Sequence, residues 1–562
     1  MSHRFPHRAF VTMPSPLALV LPPVGITGIL WWNSPNDSEL MAVWFAFLLL
    51  LAPWMSFVMW RDGSRQGLPV FGLVGAAYWM YFGLPLLLGP RELALAGRAA
   101  TFVPSESLVT ETMALTFVGV VALWAGMRMP VSLWAPDRLP DIVDTPRSWA
   151  YVRGVLLLGV ALGLFGGAPY LFGEGGRQVM VAFATIVPNV ALVLLLRRHF
   201  TGRSTPPDRL ALVVSGSALV VSALSSGWLG SLTSVLVLYG SVSLLSRRRI
   251  PWVSVLTVAL CVLFLQVGKS EFRRLYWGEG SEGSIVERLE FWIGASTTRW
   301  RDAFEGGSGE DADSLVSESM QRLSLLPQAT HVLDITPADV PYQYGATYRY
   351  IAITFIPRFV WPDKPSVNEA NRFYQVAYGM TTERDLAAVS IAVGYLVEGF
   401  INFGWTGSLG IMFISGMILG LYERTFGVVR SSALFLAIGI ALLPGFLAIE
   451  SQFAQYFGGV VRYAPPSSEP RIPGLRHGRD ARQIGQRRHA AQRVMRPVFV
   501  VVDEPRIRER LGLSGGVKQV GVQDLLAIGA IEAFDKGVLH RLPGLDVDQR
   551  DAARGSPVHQ QL

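Results

Sequence analysis

Met41–Trp60 reads MAVWFAFLLLLAPWMSFVMW, an uninterrupted stretch without a charged side chain, and Arg61 follows at once. A helix of that length rises about 30 Å, which matches the hydrocarbon thickness of a bilayer. Backbone amides in hydrocarbon must find their partners inside the segment, so the run is expected to be a transmembrane helix.

Working outward from it, similar runs recur along the chain. They cover Ser15–Trp32, Leu68–Leu88, Leu108–Met127, Gly154–Phe172, Val179–Leu196, Leu210–Leu224, Leu229–Leu245 and Trp252–Val267, and, after a long gap, Thr406–Leu421 and Ala433–Ile449. A shorter apolar stub spans Phe453–Val461. Glu111 is the one charge that interrupts the first nine runs. The expected fold is an all-α polytopic membrane protein with about eleven transmembrane helices, a truncated twelfth, and one large external loop. The first run is followed by further spans and by no small-residue cleavage site, so it is expected to be a retained anchor.

Composition agrees with this reading. Of 562 residues 51% are hydrophobic and only 16% charged, with 16 Trp, which departs from the balance of soluble domains. The formal net charge of +7 would suggest a nucleic-acid partner in a soluble protein, but the Arg residues fall between spans and in the tail, where topology accounts for them. No nucleic-acid partner is expected. The single cysteine, Cys261, lies inside an apolar run and excludes an intrachain disulfide framework.

Orientation follows from where the arginines sit. Arg4 and Arg8 precede the first run, Arg61 and Arg65 follow the second, and Arg128, Arg138, Arg147 and Arg153 lie between the fourth and fifth. Arg197, Arg198, Arg203 and Arg209 follow the sixth, and Arg247–Arg249 the eighth. These connections alternate, so the positive-inside rule places them in the cytoplasm and sends the long loop outside. Residues 268–386 carry 12 Lys plus Arg against 17 Asp plus Glu, a net charge of −5. A full crossing at Ala387–Asn402 would then strand Arg424 and Arg430 on the outside. That segment is therefore expected to dip into the membrane and return, with Thr406–Leu421 crossing inward.

Four regions result: a nine-span membrane domain over 1–267, a periplasmic loop with a re-entrant flank over 268–404, C-terminal spans over 405–463 and a polar, basic tail over 464–562. From Pro465 onward Trp and Tyr are absent and arginines such as Arg471, Arg476 and Arg479 accumulate. The abrupt change is expected to reflect a read-through or frameshifted tail, or else a disordered cytoplasmic one.

The chain holds no metal-ligand spacing, phosphate-cradling glycine loop or nucleophile elbow, so neither a metal nor a cofactor is expected. Candidate chemistry sits in the second half of the loop. Pro357–Pro365 reads PRFVWPDKP, and Glu398–Gly407 reads EGFINFGWTG. Prolines stiffen the first stretch and Trp361 suits a membrane surface. Arg358 offers a planar fork and Lys364 a point charge, a pair suited to a diphosphate. An interfacial belt, with these charges paired to Asp363 and lipid headgroups, explains them equally well. Arg349 and Arg372 add anion-binding capacity.

Glu398 lies in an apolar stretch, where an ionised carboxylate costs about 2.5–3.5 kcal/mol on insertion scales. It must face a cavity, find a partner or stay protonated. It is a candidate general base, or a polar anchor oriented by Asn402, or simply the partner of an external Arg. His331, the only histidine of the loop, is a second candidate proton acceptor, although a lone histidine is more often incidental.

These stretches carry a resemblance. Gly345, Thr347, Pro357, Arg358, Trp361, Pro362, Lys364 and Pro365, followed by Glu398, Asn402, Phe403, Gly404 and Gly407, resemble the pattern of the oligosaccharide repeat unit polymerases, the Wzy-type O-antigen polymerases. The likeness covers roughly the first 460 residues in architecture and 345–407 in motif. It implies transfer of a growing glycan from undecaprenyl diphosphate to a second lipid-linked repeat unit at the periplasmic face of the inner membrane. Arg358, Lys364, Arg349 and Arg372 would then hold diphosphate or glycan together with Trp361 and Asn402, and Glu398 or His331 would orient or deprotonate the acceptor hydroxyl. It further implies membrane lipids, a chain-length regulator and a flippase as partners. An O-antigen ligase or other lipid-linked-sugar glycosyltransferase would share the architecture. A lipid-linked oligosaccharide transporter would show internal repeats and mid-membrane charges, and neither is visible.

Overall fold

The computed structural model describes residues 15–33, 39–61, 67–88, 95–96, 101–130, 144–165, 173–225, 229–247, 252–276, 284–305, 324–354, 369–383, 392–426 and 432–457, with isolated positions such as Trp361 between them. The tail beyond 464 lies outside the described residues, as do Arg358 and Lys364.

The described chain is all-α apart from a two-residue antiparallel pair, Leu95–Ala96 with Thr101–Phe102. Its apolar helices are α1 (Pro16–Asn33), α2 (Leu40–Arg61), α3 (Val70–Leu88), α4 (Glu106–Arg128), α5 (Pro146–Phe165), α6 (Gly173–Phe200), α7 (Pro206–Ser225), α8 (Leu229–Arg247) and α9 (Trp252–Tyr276). Within the loop follow α10 (Ile285–Glu305), α11 (Leu326–Ile335), α12 (Arg349–Thr354) and α13 (Glu369–Ala377), then α14 (Gly394–Phe426) and α15 (Ala433–Leu447). Among the described residues six helices are long and apolar enough to cross a membrane: α2, α3, α4, α7, α9 and α14. Shorter apolar helices lie at Pro16–Trp32, Leu232–Arg247 and Ala433–Leu447. The described part of each long apolar run read from the sequence lies on a helix, because only an α-helix satisfies its own amides over such a length.

Local chemistry sets the helix ends. The Ser105 hydroxyl accepts from the Leu108 amide, with Glu106 in the first turn of α4 and Arg128 in its last, so the charges oppose the helix dipole. Ser432 caps α15 in the same way through the Phe435 amide at 2.9 Å.

Helix α4 and the second part of α14 form the central contact, and they run in the same direction. Added Cβ atoms show how close the backbones lie: one on Gly126 would sit 2.1 Å from the Phe413 carbonyl oxygen, and one on Gly416 2.0 Å from that of Leu123. Small residues let two helices approach where lipid supplies no hydrophobic drive. The partners Gly119 with Met412, Leu123 with Gly416 and Met127 with Gly420 advance together along both chains. At one end Trp405 Nε1 donates to Glu111 at 3.1 Å, and at the other Arg424 donates to the Met127 carbonyl at 3.1 Å. Helix α2 joins in parallel, its preceding Glu39 accepting from Thr110 Oγ1 at 2.6 Å. Arg61, Arg128 and Arg424 thus share one end of the bundle.

The long loop is docked onto this body. Trp79–Gly83 forms a π-helical turn in α3, and the Tyr81 carbonyl accepts from the Leu325 amide at 3.0 Å. The Tyr81 hydroxyl reaches Glu450 at 3.0 Å. Leu326, Ala329 and Val332 then sink α11 into the main apolar core. Helix α10 folds back antiparallel along α9, where the buried Trp292 donates to the Leu265 carbonyl at 2.9 Å and Arg299 to that of Val267 at 2.8 Å. At the arginine-rich end Asp208 is fully buried and paired with Arg153 at 2.6 Å and Arg198 at 3.2 Å, which ties α5, α6 and α7 together. Removing one partner of such a pair would leave an uncompensated charge.

Candidate functional site

Helix α14 is two helices around a reversal. Phe403 (φ −144°, ψ 21°) and Gly404 (φ 63°, ψ −147°) leave helical geometry, and the latter conformation is essentially restricted to glycine. The short arm Gly394–Asn402 folds back on the long arm that begins at Trp405. Ser408 Oγ donates to the Leu396 carbonyl at 2.9 Å, and a Cβ on Gly407 would lie 2.2 Å from the Gly399 oxygen. Gly399 and Gly407 are thus required by close backbone approach. The chain reverses at Phe403–Gly404, at the end of the expected re-entrant segment Ala387–Asn402, whose first residues lie outside the described ones.

The short arm ends on the loop. Its terminal carbonyls, which have no partner within the helix, are met by loop amides: Gln343 N reaches the Ile401 oxygen at 3.0 Å and Tyr344 N the Asn402 oxygen at 3.1 Å. The loop bends to do so through two positive-φ residues, Tyr344 at 47° and Gly345 at 89°.

Beneath this cap lies a closed polar network. Asn402 Oδ1 accepts from Gly345 N at 2.9 Å, while its Nδ2 donates to the Glu398 carbonyl at 2.8 Å and to Thr347 Oγ1 at 2.7 Å. The Thr347 hydroxyl in turn donates to Glu398 Oε1 at 2.7 Å. The second carboxylate oxygen accepts from the Phe453 amide. Glu398 and Asn402 are 2% and 0% exposed, so each depends on these partners. Burial, followed by the Glu398 carboxylate, pushes the neighbouring Tyr348 phenol above its ordinary range.

The partner of Glu398 is therefore a threonine hydroxyl and a backbone amide rather than an external Arg. Neither Thr347 as the donor nor the Phe453 amide was assigned from sequence. Thr347 was legible only as a motif position, and no local pattern points to Phe453.

The remaining candidates are dispersed. His331 Nε2 meets the Tyr378 carbonyl at 3.0 Å, which makes that nitrogen the donor, and its ring lies 4.8 Å from that of Phe102. Its Nδ1 is buried without a partner among the described residues. None of these contacts is with Glu398, Thr347 or Asn402. Arg349 follows Thr347 by two residues, is exposed, and donates to the Tyr350 hydroxyl at 2.8 Å with its guanidinium over that ring. Arg372 pairs with Glu369 at 3.0 Å on the surface of α13. Trp361 is 39% exposed. Among the described residues no group of His, Cys, Asp and Glu could hold a metal ion.

Residues 155–429 match the family model described as a domain of unknown function (DUF8712). The matched region is just under half of the chain and includes both the loop and the hairpin, while leaving out α1–α4 and the tail. No curated protein and no solved structure matches the chain.

Proposed function

We propose that this protein polymerises undecaprenyl-diphosphate-linked oligosaccharide repeat units into a surface polysaccharide, as an integral enzyme of the bacterial inner membrane. One observation carries the reading. The two separated stretches that support the resemblance, Gly345–Thr347 and Glu398–Gly407, meet in one buried network. A loop turn held this firmly to the hairpin is a scaffold for Arg349, which follows it by two residues.

In this proposal about eleven spans cross the membrane, the arginine-rich end is cytoplasmic and the loop is periplasmic. The hairpin at Phe403–Gly404 is the re-entrant element, with its tip at the outer surface. Arg358 and Lys364, assisted by Arg349 and Arg372, bind the lipid diphosphate and stabilise its charge as it leaves. Glu398 has both carboxylate oxygens engaged and no exposed surface to offer a substrate, so its part is that of a positioning residue, with Asn402 orienting it. His331, whose Nδ1 is buried and has no partner among the described residues, is the other candidate for taking the acceptor hydroxyl's proton. A chain-length regulator and a flippase are the expected protein partners.

The test is a polysaccharide gel from cells carrying the full chain. Arg358→Ala should abolish long chains while single repeat units still reach the acceptor lipid, and a normal ladder of lengths would refute the role. Loss of all transferred units would indicate a ligase, and retention of lipid-linked units on the cytoplasmic face a transporter. Glu398→Gln and Asn402→Ala should weaken the ladder together, as members of one network.

A further inference from the structure

At the arginine-rich end of the bundle, away from the Glu398 network, an open groove of about 540 Å³ runs between α5 and α6 and is closed at one side by Leu434 of α15. Its walls are aliphatic: Val155 on α5 and Val187, Val190 and Leu194 on α6. Its mouth is polar, formed by Thr145, Arg147, Ser148 and Tyr151 at the start of α5. Polar and apolar lining are thus separated along the helix axis. The stretch from Arg147 to Val155 rises roughly 12 Å, so a molecule lying in the groove meets a cation first and hydrocarbon below it.

The charges near the mouth are unbalanced. Arg147 is exposed and makes no ion pair among the described residues. Asp144 accepts from the neutral Trp149 Nε1 at 2.6 Å and keeps its charge, so four arginines here (Arg147, Arg153, Arg197 and Arg198) stand against two carboxylates (Asp144 and Asp208). Asp208, the buried acid of this end, is committed to Arg153 and Arg198. Arg198 lies over the Trp149 ring at 4.4 Å. Arg197, one turn beyond Leu194, has a guanidinium nitrogen buried without a partner among the described residues. The volume lies in the range of pockets that enclose small ligands, and an apolar slot with a cationic rim selects an anionic amphiphile.

We propose that this groove seats one acyl chain of an anionic diacyl phospholipid, whose phosphate is held at the mouth by Arg147. The site is at the opposite end of the bundle from the Gly345–Glu398 network, and it stands whether or not the polymerase reading does. Lipid bound there would fill the gap between α5, α6 and α15 and so brace the helices that carry the buried Asp208 pair.

The experiment uses the full chain purified in detergent and offered phosphatidylglycerol or phosphatidylcholine with the same acyl chains, with retained lipid counted by native mass spectrometry. Phosphatidylglycerol should be retained over phosphatidylcholine. Arg147→Gln should reduce that retention about fivefold, the contribution of one basic side chain at an anionic surface. Val190→Trp, which fills the slot, should reduce it as well. Arg128→Gln, at the same end but outside the groove, should leave it unchanged, and because Arg147 is exposed its variant should keep the parent's thermal midpoint when no lipid is added. Equal retention of the two lipids, parental retention by Arg147→Gln, or displacement of the lipid by an equal concentration of inorganic phosphate would overturn the proposal. So would a second copy of the chain occupying the groove, seen as a dimer that Val190→Trp abolishes.

Discussion

Thr347 and Glu398 are joined by a hydrogen bond of 2.7 Å in which the threonine hydroxyl donates to a carboxylate with 2% of its surface exposed. The same hydroxyl accepts from Asn402, so its single proton has one direction left to point. This small group fixes a loop turn to a helix hairpin across 51 residues of sequence.

Removing that hydroxyl without changing the shape of the side chain isolates its role. Thr347→Val should lower stability by about 1–3 kcal/mol, the cost of leaving a buried acceptor and a buried amide donor unmatched. Thr347→Ser should recover most of the loss. Thermal midpoints of the purified proteins measure both, and a valine variant as stable as the parent would show that the network does not hold the turn.

Gly404 offers a second handle on the same hairpin. Its backbone lies where a side chain is strained, and an added Cβ would also approach the Tyr342 hydroxyl to 3.0 Å. Gly404→Ala should cost about 1–3 kcal/mol. Gly410→Ala, in the long arm with open space around it, should be neutral or stabilising by up to about 1 kcal/mol, since alanine is the better helix former. Comparable losses at both positions would remove the argument for a reversal.

The parallel course of α4 and the long arm of α14 fixes which ends face the same side. With Cys261 replaced by Ser, single cysteines at Met129 and Thr425 should react with an impermeant thiol reagent from one side of the membrane, and a cysteine at Ser107 from the other. Labelling of Met129→Cys and Thr425→Cys from opposite faces would contradict the register of Gly119, Gly126, Gly416 and Gly420.

The loop also carries a group whose titration should be visible. Burial pushes the Tyr378 phenol from 10.0 up to about 12. Below pH 10 the phenol is neutral in both folded and unfolded chains, so its contribution to stability is complete there. Between pH 10 and about 12 the unfolded chain ionises first, and stability falls as pH rises. Tyr378→Phe should flatten that part of the alkaline stability curve, and an unchanged slope would mean that Tyr378 is not protected. Because its hydroxyl also meets Thr336 at 2.7 Å, the phenylalanine variant should start from a slightly lower stability near neutral pH.

Much was legible in the residues alone. Run length and the absence of charge placed the apolar helices, since hydrophobicity is a local sum and a helix closes its own hydrogen bonds. The positions of Arg61, Arg128 and Arg424 indicated direction, and α2, α4 and α14 are indeed parallel. Glu398 stood out because a buried carboxylate must have partners. The identity of those partners was not legible. Thr347 and the Phe453 amide reach Glu398 from segments 51 and 55 residues away, and Trp405 meets Glu111 across 294. A hydrogen bond depends on ångström-scale placement of two groups, which no periodicity or composition encodes. It also took the folded chain to separate His331, held by Tyr378, from Glu398, and to set an aliphatic slot beneath Arg147, because both follow from how helices pack. The sequence by itself determined which segments are helices and which polar groups need satisfying; the tertiary structure decided which groups satisfy them, because only close packing brings distant donors and acceptors within bonding distance.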